Sequence, residues 1–238
     1  MNLKFKIFLL CVLLLSFTIS ANATSLITNG GFENGSGQLP LGWPSSAGTW
    51  GGDAAYFSSS PNQGITAQEG SQMLKFEFAG SAPSSTWTAS DIYQLIDMNA
   101  YLGLIGSGNA LVTASGFFNR IDYDAQTDTG FDLSIYAMDG TSIPGSWIGS
   151  ERAFLTSDTV LDTWEKLTVS YLLPKETTWL AVHIAAHENI FNDGANAVEF
   201  DGHYADNITL TIAPVPEPAT MLLFGLGLLG LAGVSRKK

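Results

Sequence analysis

From position 179 to 186 apolar residues fall at every second place. Leu180, Val182, Ile184 and Ala186 share one side, and Trp179, Ala181, His183 and Ala185 the other. A period of two predicts a half-buried strand. Similar short β-favouring runs predict strands over 25–27, 73–78, 91–97, 110–118, 132–138, 164–172, 179–186 and 198–212, the last interrupted near Tyr204. Gly, Ser, Asn, Asp and Pro punctuate the gaps, and no long stretch has helical periodicity. Eight antiparallel strands of this kind predict an all-β fold, an antiparallel jelly-roll β-sandwich. The Gly/Ser-rich region 35–61 reads as a long loop wrapped over the sandwich. There is no internal repeat and no sign of a second domain in the body.

The two ends break the pattern. Lys4 and Lys6 precede an apolar stretch over 7–15, and Ala21, Asn22 and Ala23 place small residues where a signal peptidase reads. Residues 1–23 are therefore expected to be a secretory signal peptide. The single cysteine, Cys11, falls inside it and lacks the preceding small residues of a lipoprotein signal, so the mature chain is expected to hold no disulfide, thiolate metal site or cysteine nucleophile. The expected body is 24–212, followed by a linker over 213–218 and an apolar segment with a basic end over 219–238. The sixteen uncharged residues 219–234 would make a helix of about 24 Å, just able to span a bilayer with snorkelling and local thinning. Arg236, Lys237 and Lys238 mark its cytoplasmic end.

This tail resembles the PEP-CTERM sorting signal of Gram-negative bacteria, with Pro216, Glu217 and Pro218, then the short apolar helix, then the basic triplet, in that order. The resemblance implies recognition by an exosortase, a membrane protease that removes the anchor after transient residence in the inner membrane. It also implies a destination at the cell surface or in an extracellular matrix, with exopolysaccharide and biofilm as the setting. Gly225, Gly227 and Gly230 fit a dinucleotide-binding spacing, but no preceding strand or βαβ unit accompanies them, and small residues in a membrane helix explain them better.

Charge narrows the function of the body. The chain has twenty-two acidic and ten basic residues, of which the ends hold Glu217, Lys4, Lys6, Arg236, Lys237 and Lys238, leaving the body at −16. So acidic a surface repels phosphate backbones, which argues against nucleic acid as a partner. Its carboxylates serve solvation or, more specifically, calcium.

Asn29 to Glu33 (Asn-Gly-Gly-Phe-Glu), Gly42-Trp43, Trp164 at the head of a strand, and Phe200 onward through Asp206-Asn-Ile-Thr-Leu210 resemble the galactose-binding-like jelly rolls of carbohydrate-binding modules. The resemblance implies that the first and last strands lie together and that a structural Ca2+ is held by Glu33 and Asp206. Asn207 departs from that pattern, standing where a second acidic residue is common. Calcium takes six to eight oxygens, which carbonyls near Glu69, Gly70 and Ser71 could complete; the alternative is that Glu33 only caps a turn. The acidic stretch 122–128 with Asp132 lacks the sixth-position Gly and twelfth-position Glu of an EF-hand, having Thr127 and Leu133 there, and reads as a solvated loop.

His183, His187 and Glu188 invite comparison with a zinc protease, but the order is wrong. On a strand, residues four apart stand about 13 Å from one another, too far to share one zinc. Six tryptophans offer planes on which the apolar faces of sugars can stack. Trp43 and Trp164 read as core packing; Trp50, Trp87, Trp147 and Trp179 are the freer candidates for ligand binding, Trp179 together with His183 on what would be the concave face. No nucleophile elbow or phosphate-cradling loop appears. The sequence thus points to an exported, non-enzymatic protein with a glycan-binding or matrix-structural sandwich. The alternatives are a surface polysaccharide-active hydrolase and an adhesive protein without sugar recognition.

Overall fold

The computed structural model describes residues 24–77, 88–121, 129–141, 146–158, 160, 163–188 and 202–215. Eleven strands occur among them: β1 (Gly37–Gln38), β2 (Trp50–Gly52), β3 (Ala55–Ser59), β4 (Gln72–Phe76), β5 (Thr88–Asp97), β6 (Ala110–Arg120), β7 (Thr129–Met138), β8 (Trp147–Thr156), β9 (Glu165–Leu172), β10 (Trp179–Glu188) and β11 (His203–Pro214). One sheet runs β1-β3-β4-β11-β6-β9 and the other β2-β5-β10-β7-β8, with every strand pair antiparallel. From β4 onward the chain lays β4-β11-β6-β9 against β5-β10-β7-β8, the jelly-roll order that the strand pattern predicts. A 3-10 turn (Asn99–Tyr101) and a one-turn helix, α1 (Leu102–Gly106), join β5 to β6 and bury Ile105.

Alternation drives the packing. On β6, Ala110, Val112, Ala114 and Phe118 point inward and are fully buried. They meet Phe131, Leu133 and Ile135 of β7 and Leu180, Val182 and Ile184 of β10 in a single core between the sheets. One buried amide is tied down within it: Gln94 donates to the Thr28 carbonyl at 2.8 Å and accepts from the Thr28 N–H at 2.9 Å.

The sequence expectations depart from the structure at five places. Residues 25–27 form no strand; Leu26 N–H donates to the Leu210 carbonyl at 2.7 Å, and the segment rests on β11 without a ladder. Region 35–61 is not a plain loop but contributes β1, β2 and β3, because Leu39, Trp50 and Ala55 each bury against the core. The irregularity expected near Tyr204 falls between Asp206 and Thr209 of β11. There Asn207 takes φ 49°, which resets the parity so that Ala205, Ile208 and Leu210 all reach the core. Finally β8 was absent from the sequence pattern, and β11 runs to Pro214, past the expected end of the body at Ile212.

The opening motif is locked to β11 by a close approach. Ile208 N–H donates to the Gly30 carbonyl at 2.8 Å, and a Cβ on Gly30 would stand 1.9 Å from the Ile208 carbonyl oxygen. Only glycine fits there.

Candidate functional site

The core fixes which residues stand on the outer side of the second sheet. With Leu180, Val182 and Ile184 inside, Trp179, His183 and His187 of β10 face out. Register then brings Tyr93 and Ser134 alongside His183, and Asp91 and Asp132 to either side of Ala185. Arg152 and Phe154 of β8 complete the row next to β7.

These side chains form one network. His183 Nε2 lies 2.8 Å from Asp91 Oδ1, and its Nδ1, which carries no hydrogen bond, lies 4.0 Å from Asp132 Oδ1. Asp132 accepts from Ser134 Oγ at 2.5 Å, pairs with Arg152 Nε, and has His187 Nε2 at 3.6 Å. A polar layer on a solvent-side sheet face would ordinarily be wet; here His183 is 5% and Asp132 3% exposed. Burial opposes the charge of Asp91, yet the hydrogen bond and charge of His183 hold its carboxyl below the ordinary range. Asp132 is likewise held low, its burial outweighed by His187 beside it, by the Ser134 bond and by the charges of His183 and Arg152. The network is thus a set of ionised carboxylates held by His183, Ser134 and the Arg152 guanidinium.

Aromatic rings surround it. Tyr93 stacks on His183 with centroids 4.5 Å apart and planes 19° from parallel, and Trp43 leans on Tyr93 at 5.0 Å. Tyr136 packs against His183 at 5.9 Å and meets Trp147 edge-on at 5.8 Å. Arg152 lies over the Phe154 ring at 5.2 Å. Burial and the charge of Asp91 push the Tyr93 phenol up, and burial with Asp132 does the same for Tyr136, so both stay protonated donors. Beside Trp43, between the 41–43 segment, β2 and β5, a cavity of about 440 Å³ opens.

The other expected site lies elsewhere. Glu33 accepts from Ser71 N–H and Gln72 N–H, both at 2.8 Å, and from Ser71 Oγ at 2.9 Å. Asp206 accepts from Gln68, Glu69 and Asn207 N–H groups at 2.9, 3.0 and 2.7 Å. Both carboxylates therefore grip one loop, 68–72. Burial pushes the Asp206 carboxyl up to about 6, with the Glu33 charge adding to it, against the three N–H bonds that favour the anion. The hydrogen bonds of Gln72 and Ser71 keep Glu33 low, and its charge in turn discourages that of Asp206; a hard cation would relieve that repulsion, and in that sense Glu33 and Asp206 suit Ca2+. Among the described residues no group of three or more His, Cys, Asp or Glu gathers as a metal cluster.

Of the tryptophans named from sequence, Trp147 is 51% exposed and Trp179 half-buried on the outer face beside Leu95, Met138 and Ala181. Trp50 is not on this surface. It faces the core at 5% exposure, 5.3 Å from Phe32, and its Nε1 donates to the Thr28 and Asn29 carbonyls. Trp43 packs, partly buried, against the Leu95, Met138 and Ala181 cluster, and on the outer face it also stands against Tyr93 and donates to the Thr141 carbonyl at 2.7 Å. Asp132, read with the acidic stretch 122–128, is a buried member of the network. Trp87, residues 122–128, the leader 1–23, and the tail with Pro216, Glu217, Pro218, Arg236, Lys237 and Lys238 lie outside the described residues. Sequence reasoning missed Asp91, Tyr93, Asp132, Tyr136 and Arg152 as a set. The available signal was polar residues at alternate places in strands whose other face is apolar.

Residues 214–237 match the PEP-CTERM protein-sorting motif. No curated protein matches the chain in sequence. Among solved structures it is similar to a family 61 carbohydrate-binding module in complex with β-1,4-galactotriose, at 13% identity and a TM-score of 0.49, covering 80% of this chain and 100% of the other. It is also similar to a family 16 carbohydrate-binding module (15%, TM-score 0.42, 78% and 99% covered). A third is the CBM22-1 xylan-binding domain of a Paenibacillus barcinonensis protein (14%, TM-score 0.42, 82% and 97% covered).

Proposed function

We propose that this chain is an exported glycan-binding β-sandwich, delivered through its sorting tail by an exosortase-type protease, which holds polysaccharide on the outer face of the β2-β5-β10-β7-β8 sheet. The observation that supports the reading is the clamped Asp91–His183–Asp132–Arg152 network set among Tyr93, Tyr136, Trp147 and Trp43. Sugar rings offer apolar C–H faces to aromatic planes and hydroxyl pairs to fixed planar donors and acceptors. A small number of oriented polar groups amid aromatic surface is the usual make-up of a site for a neutral small molecule. Glu33 and Asp206, at the far loop, are proposed as a structural calcium site that ties that loop to the first and last segments of the fold.

One observation favours a hydrolase instead. Burial and the charge of Asp91 raise the Asp53 carboxyl while Asp91 is lowered, and a glycosidase uses one protonated and one ionised carboxyl. Against it, Asp53 Oδ2 already accepts the Asp91 N–H at 2.9 Å.

The full-length chain in detergent, passed over neutral polysaccharides such as galactan and xylan, is expected to be retained without releasing reducing ends. Trp147→Ala and Tyr93→Ala are expected to weaken retention severalfold, with Trp147→Ala leaving the melting temperature unchanged. Accumulating reducing ends would establish the hydrolase, and no retention across neutral polymers would remove sugar recognition.

A further inference from the structure

The cavity beside Trp43 has a chemistry of its own. Its walls are Leu41, Trp43 and Tyr93, and its polar lining is Asp53 and Asp91; among the described residues no basic side chain lines it. A single close approach builds it. Gly52 takes φ 149°, and a Cβ there would stand 2.1 Å from the Asp91 carbonyl oxygen. Residue 53 is thereby laid directly on β5: its N–H donates to the Asp91 carbonyl at 2.8 Å, and its Oδ2 accepts the Asp91 N–H at 2.9 Å. Two carboxylates are therefore forced together at one side of an aromatic hollow. Among the described residues the one side chain hydrogen-bonded to either carboxylate is His183, on Asp91 Oδ1, and nothing donates to Asp53 Oδ1 or Asp91 Oδ2. Arg152, on the same face, is engaged with Asp132.

A group that fits this hollow must satisfy acceptors without bringing any, relieve the repulsion between the two acids, and tolerate aromatic walls. A neutral hydroxyl does the first only in part. An ammonium does all three, since it donates to carboxylates and is attracted to ring faces. The roughly 440 Å³ available is room for a sugar unit. The cavity opens at the edge of the proposed glycan face, through Asp91 and Tyr93, which belong to both. We infer that this cavity is a subsite for a protonated amino sugar, so that the chain prefers glycans carrying free hexosamine units over their N-acetylated or unaminated counterparts. The inference rests on the glycan-binding reading of the face and adds the class of sugar.

Calorimetric titration of the full-length chain in detergent, in mildly acidic buffer, would compare β-1,4-linked glucosamine oligomers with N-acetylglucosamine oligomers of the same length. The expected result is about tenfold tighter binding of the amine form, most of it lost in 0.5 M salt because exposed ionic attraction is screened. Asp53→Asn, which keeps an oxygen for the Asp91 N–H, is expected to erase the ratio between the two oligomers. The salt comparison on the unaltered chain stands even if that variant fails to fold. Equal affinity for amine and acetamide, or a preference that survives Asp53→Asn and high salt, overturns the inference while neutral polysaccharide retention leaves the glycan reading intact. Absence of binding to both oligomers and to neutral polysaccharides overturns the two together.

Discussion

Asp206 carries an electrostatic cost that its three N–H bonds do not offset. It is fully buried and its carboxyl is pushed up to about 6, above the ordinary unfolded value of about 3.9. The native state therefore binds the proton more tightly than the unfolded chain, so ionisation of Asp206 weakens the fold above pH 6, and stability returns as pH falls toward 4. Two units correspond to roughly 3 kcal/mol. In chelator, the melting temperature is expected to rise between pH 7 and pH 5 in the unaltered chain and to change less in Asp206→Asn. Calcium should reverse the slope, raising the melting temperature at pH 7 more than at pH 5. A midpoint indifferent to calcium at both values would leave Glu33 and Asp206 as caps of the 68–72 loop and nothing more.

At the level of the strand, β10 shows how far a pattern can be read. Its strict alternation gave both faces before any partner was known, because each inward residue meets the opposite sheet and any one-residue slip would turn Ile184 outward. Ile184→Ala is expected to cost about 2–5 kcal/mol, seen as a lower guanidinium midpoint, whereas Trp147→Ala on the exposed surface should stay within about 0.5 kcal/mol. Equal losses would mean that the two faces are not energetically distinct. What one strand cannot show is its neighbours. Asp91 and Asp132 lie forty-one positions apart in sequence and become companions only through Ala185. β8 was illegible for a different reason: nearly all its residues are exposed or half-exposed, so an edge strand leaves no apolar period to detect. In the 35–61 region the strands are two to five residues long, too short for any period, and Trp50 is held there by contacts with Phe32 that no spacing announces.

For the whole molecule, the jelly-roll body and the sorting motif meet without a spacer. β11 ends at Pro214, where the motif begins, and Val215 N–H still donates to the Asn109 carbonyl at 2.8 Å. Replacing Pro216, Glu217 and Pro218 with alanine is expected to leave the protein in the inner-membrane fraction; an altered chain that reaches the extracellular fraction as readily as the original would remove the proposed protease from its route.

That direct junction also decides how the body bears force. With the tail anchored, polymer held by the other sheet would draw tension through Pro214 into β11, an interior strand paired with β6 at ten positions and with β4 at three. A pull along the strand axis loads those rungs side by side in shear, whereas a strand joined crosswise at its end would peel open one rung at a time. The tether would thus join the sandwich at an interior strand, held on both sides against a lengthwise load.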